Sequence, residues 1–153
     1  MTAERNGAPT VRPRLVPELS VANLQASLVF WRSLLGFSVA CEQSETGSAC
    51  LRRPDGAEIV LREHDGAFEL AAMEYPLGRG VRLRIEVDAL APISTILSRR
   101  AWPIAEPRTE TWRAAGDHET GEASLMVQDP DGYLIALVER LGERPRQGQE
   151  HDS

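Results

Sequence analysis

The chain has 153 residues, an apolar fraction of 42% and a formal net charge of −6 at pH 7. This length allows one domain, or two half-domains that share a core, and the negative charge argues against a nucleic acid as a partner. No apolar run is long enough to span a membrane. We therefore expect a globular protein with no nucleic acid or membrane partner.

Both ends of the chain are polar and rich in residues that break regular structure. Residues 1–13 are predicted to be a flexible N-terminal arm and residues 141–153 a flexible C-terminal tail, around a single domain at 14–140. The first residues carry no apolar signal segment, so we expect a cytoplasmic protein. In that compartment Cys41 and Cys50 are expected to be reduced.

Apolar periodicity in the first half predicts one strand, one helix and three further strands. The segment that starts at Leu15 alternates as a strand does. Asn23 can cap the helix that follows, which carries an apolar stripe and ends at Gly36. Three strands come next, FSVACEQ, SACLRR and AEIVLRE, the last introduced by a PDG turn. A long connection is predicted from His64 to Gly80.

The same order restarts in the second half. VRLRIEV alternates, and Asp88 precedes a helix in which Pro92 falls in the first turn, where proline is tolerated. PIAEPRTETWRA and EASLMVQ are strand candidates, and a second PDG turn introduces YLIALVE. The predicted fold class is α+β, with two βαβββ half-modules at about 14–64 and 81–140 whose strands form one curved mixed sheet around a concave cavity.

An internal repeat supports this plan. PDGAEIVLRE at Pro54 and PDGYLIALVE at Pro130 are identical at six of ten positions, 76 residues apart. In the first strands, Leu19-x-Val21 matches Ile85-x-Val87 at an offset of 66. The chain therefore has the pattern of a duplicated unit, with about ten extra residues between the helix and the last strand of its second copy.

This doubled plan resembles the glyoxalase/bleomycin-resistance family of the vicinal oxygen chelate superfamily. The resemblance is carried by LVPELSVANLQASLVFWRSLLGF and VQDPDGYLIALVE and covers 14–140. In the metal enzymes of the superfamily, each half supplies two ligands from its first and last strands, which face the cavity. The resemblance maps these positions onto Val16 and Val60 in the first half and onto Arg82 and Ala136 in the second.

These four side chains depart from the pattern of the metal enzymes. Valine and alanine offer no lone pair to a divalent cation, and a guanidinium group repels one. We therefore expect no metal, no cofactor and no catalytic residues. The departure moves the expectation toward the metal-free, bleomycin-resistance-like antibiotic-binding proteins.

Strand alternation divides the side chains between two faces. Those expected to pack beneath the helices are Leu19, Val21, Ile59, Leu61, Leu83, Ile85, Val87, Ile135 and Leu137. Those expected on the concave face are Val16, Glu18, Ser20, Glu58, Val60, Arg62, Arg82, Arg84, Glu86, Leu134, Ala136 and Val138. A trough of mixed polarity suits a polar ligand with flat rings. The alternative is a solvated sheet face whose charges pair across strands.

Three tryptophans and one histidine are further candidates for ligand contact or for core packing. Trp112 precedes the polar loop RAAGDHETG, and in resembling antibiotic-binding proteins an aromatic side chain near this loop stacks on the ligand. The family's usual tryptophan is replaced by Thr120 here, so Trp112 is either a substitute or a core residue. His118, in the same loop, is either a ligand contact or solvent-exposed. Trp31 is expected in the core, and Trp102 is expected to pack on the second helix or at a subunit contact.

The sequence thus predicts a metal-independent binding protein for an antibiotic or related secondary metabolite, acting by sequestration in self-resistance or as a biosynthetic accessory. Its expected ligand-binding residues are Val16, Glu18, Glu58, Val60, Arg62, Arg82, Arg84, Trp112, His118 and Ala136. A metal-free isomerase or hydrolase, with Glu58 or Glu86 as base beside Arg82, stays open, as does a structural subunit with a vestigial cavity. The resemblance also implies a homodimer with cavities at or near its interface.

Overall fold

A computed structural model describes residues 12–146 as two four-stranded sheets and two helical segments. The strands are β1 (Glu18–Val21), β2 (Ser38–Gln43), β3 (Ser48–Arg52), β4 (Glu58–Glu63), β5 (Arg82–Glu86), β6 (Ile104–Ala115), β7 (His118–Gln128) and β8 (Leu134–Pro145). Helix α1 (Leu24–Val29) continues into a π-helical turn at Phe30–Leu34, and α2 covers Ala91–Arg99. Within 12–146, no helix is long and apolar enough to cross a membrane.

The two halves repeat one topology. The strand orders are β1-β4-β3-β2 and β5-β8-β7-β6. In each sheet the first and last strands of the half are parallel, and the other pairs are antiparallel. The α+β class and the doubled βαβββ plan are confirmed. The expected single curved sheet is instead two sheets, because no strand ladder joins β1 to β5 in the part of the chain that the structure describes.

The second sheet is longer than the sequence predicted. Strand β8 runs to Pro145, so residues 141–145 belong to the sheet and not to a tail. Strands β6 and β7 likewise extend through most of RAAGDHETG, which was predicted to be a loop. Polar composition misled the prediction, because these strands are held by ladder pairing such as Gly121 with Gly142. The predicted arm lies outside the described residues up to residue 11, and so does the tail from residue 147.

One apolar core serves both halves. Trp31 is fully buried and its Nε1 donates to Asp129 at 3.3 Å. The Phe30 ring lies 5.6 Å from Trp31 and 5.0 Å from Trp102, between centroids. Trp102 is half-buried and donates from Nε1 to the Gln128 carbonyl at 3.0 Å. The expected core position of Trp31 is confirmed, and Trp102 packs at the edge of the same core.

The second PDG turn links the two halves. Asp131 Oδ1 accepts from the Ala22 backbone N–H at 2.9 Å, and Oδ2 accepts from the Ser27 hydroxyl at 3.3 Å. The Tyr133 hydroxyl donates to the Ser20 carbonyl at 2.9 Å. All three partners lie in β1, in α1 or between them. The turn therefore holds the start of β8, in the second half, against β1 and α1 of the first half.

The two cysteines correct another expectation. Cys41 and Cys50 face each other across the β2–β3 hairpin with Cα atoms 5.0 Å apart, and the structure joins them in a disulfide. The hairpin register produces this pairing, which the expectation of reduced thiols did not include. Cys50 also pairs with Val60 on β4. The disulfide therefore lies on the same face as Val60.

Candidate functional site

The first candidate face is formed by β1, β3 and β4. The parallel register places Glu18 beside Val60 and Ser20 beside Arg62. The antiparallel register places Cys50 on the other side of Val60. Side chains that neighbour one another across a ladder share a face, so the structure brings these predicted residues together. Val16 is half-buried and precedes β1 by two residues.

Arg62 has an unusual environment on this face. Its Nη2 donates to Asp65 Oδ2 at 3.1 Å, and its Nη1 lies 4.0 Å from Glu18 Oε1. Its guanidinium carbon is 5.8 Å from the centroid of the Phe68 ring. Within residues 12–146, Arg62 Nε is buried and has no hydrogen-bond partner. Leaving a buried donor unpaired costs about 1–3 kcal/mol, so an acceptor at this point would be stabilising.

Two acidic side chains near this face pair with arginines, Asp65 with Arg62 and Glu58 with Arg52. The Asp65 pKa is lowered by the backbone N–H of Ala67 and by the Arg62 guanidinium. Glu58 is bonded to Arg52, its ladder neighbour on β3, and its side chain is only 15% exposed. Glu58 is therefore an ion-pair partner at the edge of the face, and the free hydrogen-bonding position belongs to Arg62.

The second candidate face is closed by an ion pair. Arg84 on β5 binds Glu122 on β7 through both guanidinium nitrogens, Nη1 at 3.1 Å from Oε1. Since β8 lies between those strands, the pair passes over β8. Ala136 and Val138 of β8 are 3% and 1% exposed. Ala136, predicted as a ligand contact, is therefore covered.

The Arg84–Glu122 pair stabilises the charged form of both side chains. The Arg84 pKa is raised chiefly by its hydrogen bond to Glu122, and the Glu122 pKa is lowered chiefly by Arg84. A second pair joins Arg140 Nε to Glu86 Oε1 at 2.8 Å. Arg82 is exposed at the start of β5. The second face thus carries paired charges over an apolar strand.

Beyond the Arg84–Glu122 pair, the long strands form a cavity of about 260 Å³. Its lining is Thr111, Arg113, Thr120, Gly121, Glu122, Arg140, Gly142 and Glu143. Apart from Thr120, none of these residues was predicted as part of a site. Had 113–121 been assigned to strands, alternation would have placed Thr120 on the face of Glu122, with Thr111 and Arg113 opposite them on β6.

Trp112 does not face this cavity. It alternates with Thr111 and Arg113, which line the cavity, so its side chain lies on the opposite face of β6. Its ring packs on Gly121, where an added Cβ would lie 2.5 Å from the ring, and Arg144 stacks over it at 4.0 Å. Trp112 is half-buried by protein contacts and is not placed to stack on a ligand in either face.

His118 lies at the tip of the β6–β7 hairpin. Its Nδ1 is 3.0 Å from Asp117 Oδ1 and its Nε2 is 3.6 Å from Glu143 Oε1. The pKa of His118 is raised, chiefly by the hydrogen bond to Asp117 and also by the charge of Glu143. Glu143 lines the cavity, so His118 borders it and does not reach the first face.

Known structures share this architecture. TioX from Micromonospora sp. ML1 is 15% identical and superposes with a TM-score of 0.62 over 84% of this chain and 99% of that chain. A glyoxylase/bleomycin resistance protein/dioxygenase domain from Frankia sp. EAN1pec is 19% identical, with a TM-score of 0.61 over 85% and 98%. A glyoxalase/dioxygenase from Nostoc punctiforme is 18% identical, with a TM-score of 0.59 over 91% and 99%.

The chain has the vicinal oxygen chelate fold. At these identities the likeness establishes the fold alone. No family model matches the sequence, and no curated protein matches it significantly.

By resemblance to the metal enzymes of this fold, their four metal-ligand positions correspond here to Val16, Val60, Arg82 and Ala136. Three of these side chains have no donor atom, and the fourth is a cation, so the set does not fit a divalent metal. Within 12–146, no group of three or more His, Cys, Asp or Glu side chains is placed to hold one either. Among the buried side-chain nitrogen and oxygen atoms of residues 12–146, Arg62 Nε, two residues beyond Val60, is the one without a hydrogen-bond partner.

Proposed function

We propose that this protein binds a small molecule without a metal, holding an antibiotic or related secondary metabolite by stoichiometric sequestration. The observation that supports it is the buried, unpaired Arg62 Nε on a face where the metal-ligand positions are apolar. A carbonyl or carboxylate oxygen of the ligand accepts from Arg62, and a flat ring packs on Val16 and Val60. Self-resistance and an accessory step in natural-product biosynthesis both use this kind of binding.

A titration tests the proposal. Calorimetry with a panel of peptide and quinone antibiotics in EDTA is expected to find at least one ligand whose binding is insensitive to the chelator. Arg62→Gln is expected to weaken that ligand at least tenfold, because a hydrogen bond to a charged group contributes about 1.5–3 kcal/mol. The matched control is Arg99→Gln, an exposed arginine at the end of α2.

Two outcomes contradict the proposal. One is the absence of heat or of any fluorescence change across the panel. The other is an equal loss of affinity in both arginine variants, which would assign the effect to net charge and not to the first face.

We further propose that the protein is a homodimer. Phe68 is 90% exposed and Leu70 is fully exposed, both on the connection between β4 and β5. Phe68 also has a positive φ of 61°, a conformation rare for a residue other than glycine. Large apolar side chains held outward at the rim of the first face mark an interaction surface. A second copy of the chain on this surface would place the binding face beside the interface.

Mass measurement tests the dimer. Sedimentation of the native chain is expected to give twice the monomer mass, and the double substitution Phe68→Asp and Leu70→Asp is expected to give the monomer. Val29→Asp, a half-exposed apolar position on α1, is the control for added charge. A monomeric native chain at micromolar concentration, or dissociation of the control to the same extent, would exclude this surface.

A second candidate is a structural subunit whose cavity is vestigial. The Arg84–Glu122 pair favours it, because the pair already covers the apolar strand of the second face. An exposed ion pair of this kind contributes about 0–1 kcal/mol, so a ligand that offers both charges can displace it. The titration separates the two functions, since a vestigial cavity gives no heat with any ligand.

The metal-free enzyme has less support. Its two candidate bases are held by neighbours, Glu58 by Arg52 and Glu86 by Arg140. Both carboxylates are paired, whereas the Arg62 Nε–H has no partner among residues 12–146. Binding is therefore the function that these contacts support better.

A further inference from the structure

A separate cavity lies where the two halves meet. Its volume is about 300 Å³. Val21 at the end of β1 and Pro130 of the second PDG turn form one wall, and Met73, Tyr75 and Leu77 of the connection form the other. These walls are apolar, apart from the Tyr75 hydroxyl and two polar side chains described next. None of these residues belongs to the two faces described above.

His64 gives the cavity a hydrogen-bonding side chain. It lines the cavity, and its backbone N–H donates to the Val21 carbonyl at 2.8 Å, which holds the His64 backbone against the end of β1. Its Nδ1 lies 2.6 Å from Glu69 Oε1. In the neutral ring this contact places the proton on Nδ1 and leaves Nε2 as an acceptor. Within 12–146, the polar contact of the ring is the one between Nδ1 and Glu69, so Nε2 is the ring nitrogen left to accept from a ligand.

The second polar group sets the charge that the cavity accepts. Asp131 lines it, but both of its carboxylate oxygens are engaged, by Ala22 and Ser27. Glu69 lies just behind His64. Two carboxylates near an apolar cavity disfavour an anionic ligand, whereas a neutral ring meets no electrostatic penalty.

We propose that this junction cavity is a binding site for an uncharged aromatic alcohol of one or two fused rings. Its hydroxyl donates to His64 Nε2. Its ring packs against Tyr75 and Leu77 and against the sulfur of Met73, a contact that aromatic rings favour. The site is independent of the first face, because it uses neither Arg62 nor Val60.

Calorimetry with 2-naphthol and its methyl ether, 2-methoxynaphthalene, tests the proposal. The two probes share a ring system, but only the naphthol can donate a hydrogen bond. One neutral hydrogen bond is expected to make 2-naphthol bind about threefold to tenfold more tightly than the ether. His64→Phe is expected to abolish this preference, and the preference should persist in His118→Phe, a control histidine outside the cavity.

Two more variants complete the test. Met73→Trp is expected to fill the cavity and weaken both probes, and Met73 is 38% exposed, so the larger ring can be accommodated at the rim. Arg62→Gln is expected to leave both probes unchanged, which separates this site from the proposed function. Absence of binding by either probe, equal affinity for both, or a preference that survives His64→Phe would each overturn the proposal.

Discussion

Asp131→Ala is expected to lower the free energy of unfolding by about 3–5 kcal/mol, the largest effect of any single substitution considered for this chain. Asp131 is 7% exposed, and its carboxylate accepts from the Ala22 N–H and the Ser27 hydroxyl. Ser27 is fully buried, so its hydroxyl would lose its partner without gaining water. The unpaired Ser27 hydroxyl contributes about 1–3 kcal/mol to the loss, and the lost hydrogen bond from Ala22 to a charged group contributes about 1.5–3 kcal/mol more.

The internal repeat supplies a matched control. Asp55 occupies the same position in the first PDG turn, but its side chain is 45% exposed and its partners are local, Ala57 N–H at Oδ1 and the Arg53 Nε–H at Oδ2. Asp55→Ala is expected to change stability by less than about 1 kcal/mol. Chemical denaturation of both variants measures the difference. Equal losses would show that the turn itself, and not the link between the halves, accounts for the effect of Asp131.

Asp131→Asn refines the same prediction. The amide oxygen can replace one carboxylate oxygen as acceptor for Ala22, while the amide nitrogen cannot accept from Ser27. An intermediate loss is therefore expected. A loss as large as that of the alanine variant would mean that charge, and not the two hydrogen bonds, holds the halves together.

Much of the fold follows from the sequence because the repeat constrains it. The structural register places Glu18 beside Val60 and Arg84 beside Ala136. Glu18 and Arg84 are 66 residues apart, and Val60 and Ala136 are 76 residues apart. These are the two offsets that relate the copies of the repeat in the sequence. The repeat also appears in contacts that were not predicted: Glu63 accepts from the Leu24 N–H at 3.4 Å.

The corresponding contact in the second half has the same form. Glu139 accepts from the Leu90 N–H at 3.1 Å, again from the last strand of the half to the start of its helix. A carboxylate at a helix N-terminus is favourable, because it pairs with N–H groups that lack partners in the helix. Periodicity fixed which residues lie on each face, but not which side chains meet through this kind of contact.

The parts that sequence reasoning missed depend on strand order and strand length. Arg84 and Glu122 are 38 residues apart, and they meet only because β8 lies between β5 and β7. Trp112 was predicted on a strand just before a polar loop, as a ligand contact or a core residue, but the strands continue through most of that loop and Trp112 packs on Gly121. In both cases local composition carried no information about the long-range pairing that decided the position.

The stability of the protein is expected to fall as pH rises from about 4 to 7, and Asp129 is the cause. Burial raises its pKa from 3.8 to about 6, an effect only partly opposed by N–H groups of Tyr133, Asp131 and Trp31. The folded pKa exceeds the unfolded value, so the stabilising contribution is complete below pH 3.8 and is lost as pH passes 6. Roughly two pKa units correspond to about 3 kcal/mol.

The other groups with shifted pKa values change the stability outside the range of pH 4 to 7, or too little to reverse its fall within that range. The pKa values of Asp65, Asp117 and Glu122 are lowered, so their contributions are lost as pH falls below about 4 and have the opposite sign. His118 has a raised pKa, and its contribution falls as pH rises above 6.5. Denaturation between pH 4.5 and 6.5 therefore isolates Asp129, and His118→Ala removes the remaining overlap.

A double variant assigns the slope to one residue. In Asp129→Asn the amide N–H₂ would face the Trp31 indole N–H, two donors without an acceptor, so Trp31→Phe is introduced with it. This variant is expected to be less stable overall, but its unfolding free energy should be nearly flat between pH 4.5 and 6.5. Trp31→Phe alone retains the carboxylate and is expected to keep the slope. A slope that persists in the double variant, or a native protein that becomes more stable as pH rises through this range, would show that the buried carboxylate of the second PDG turn does not control the pH response.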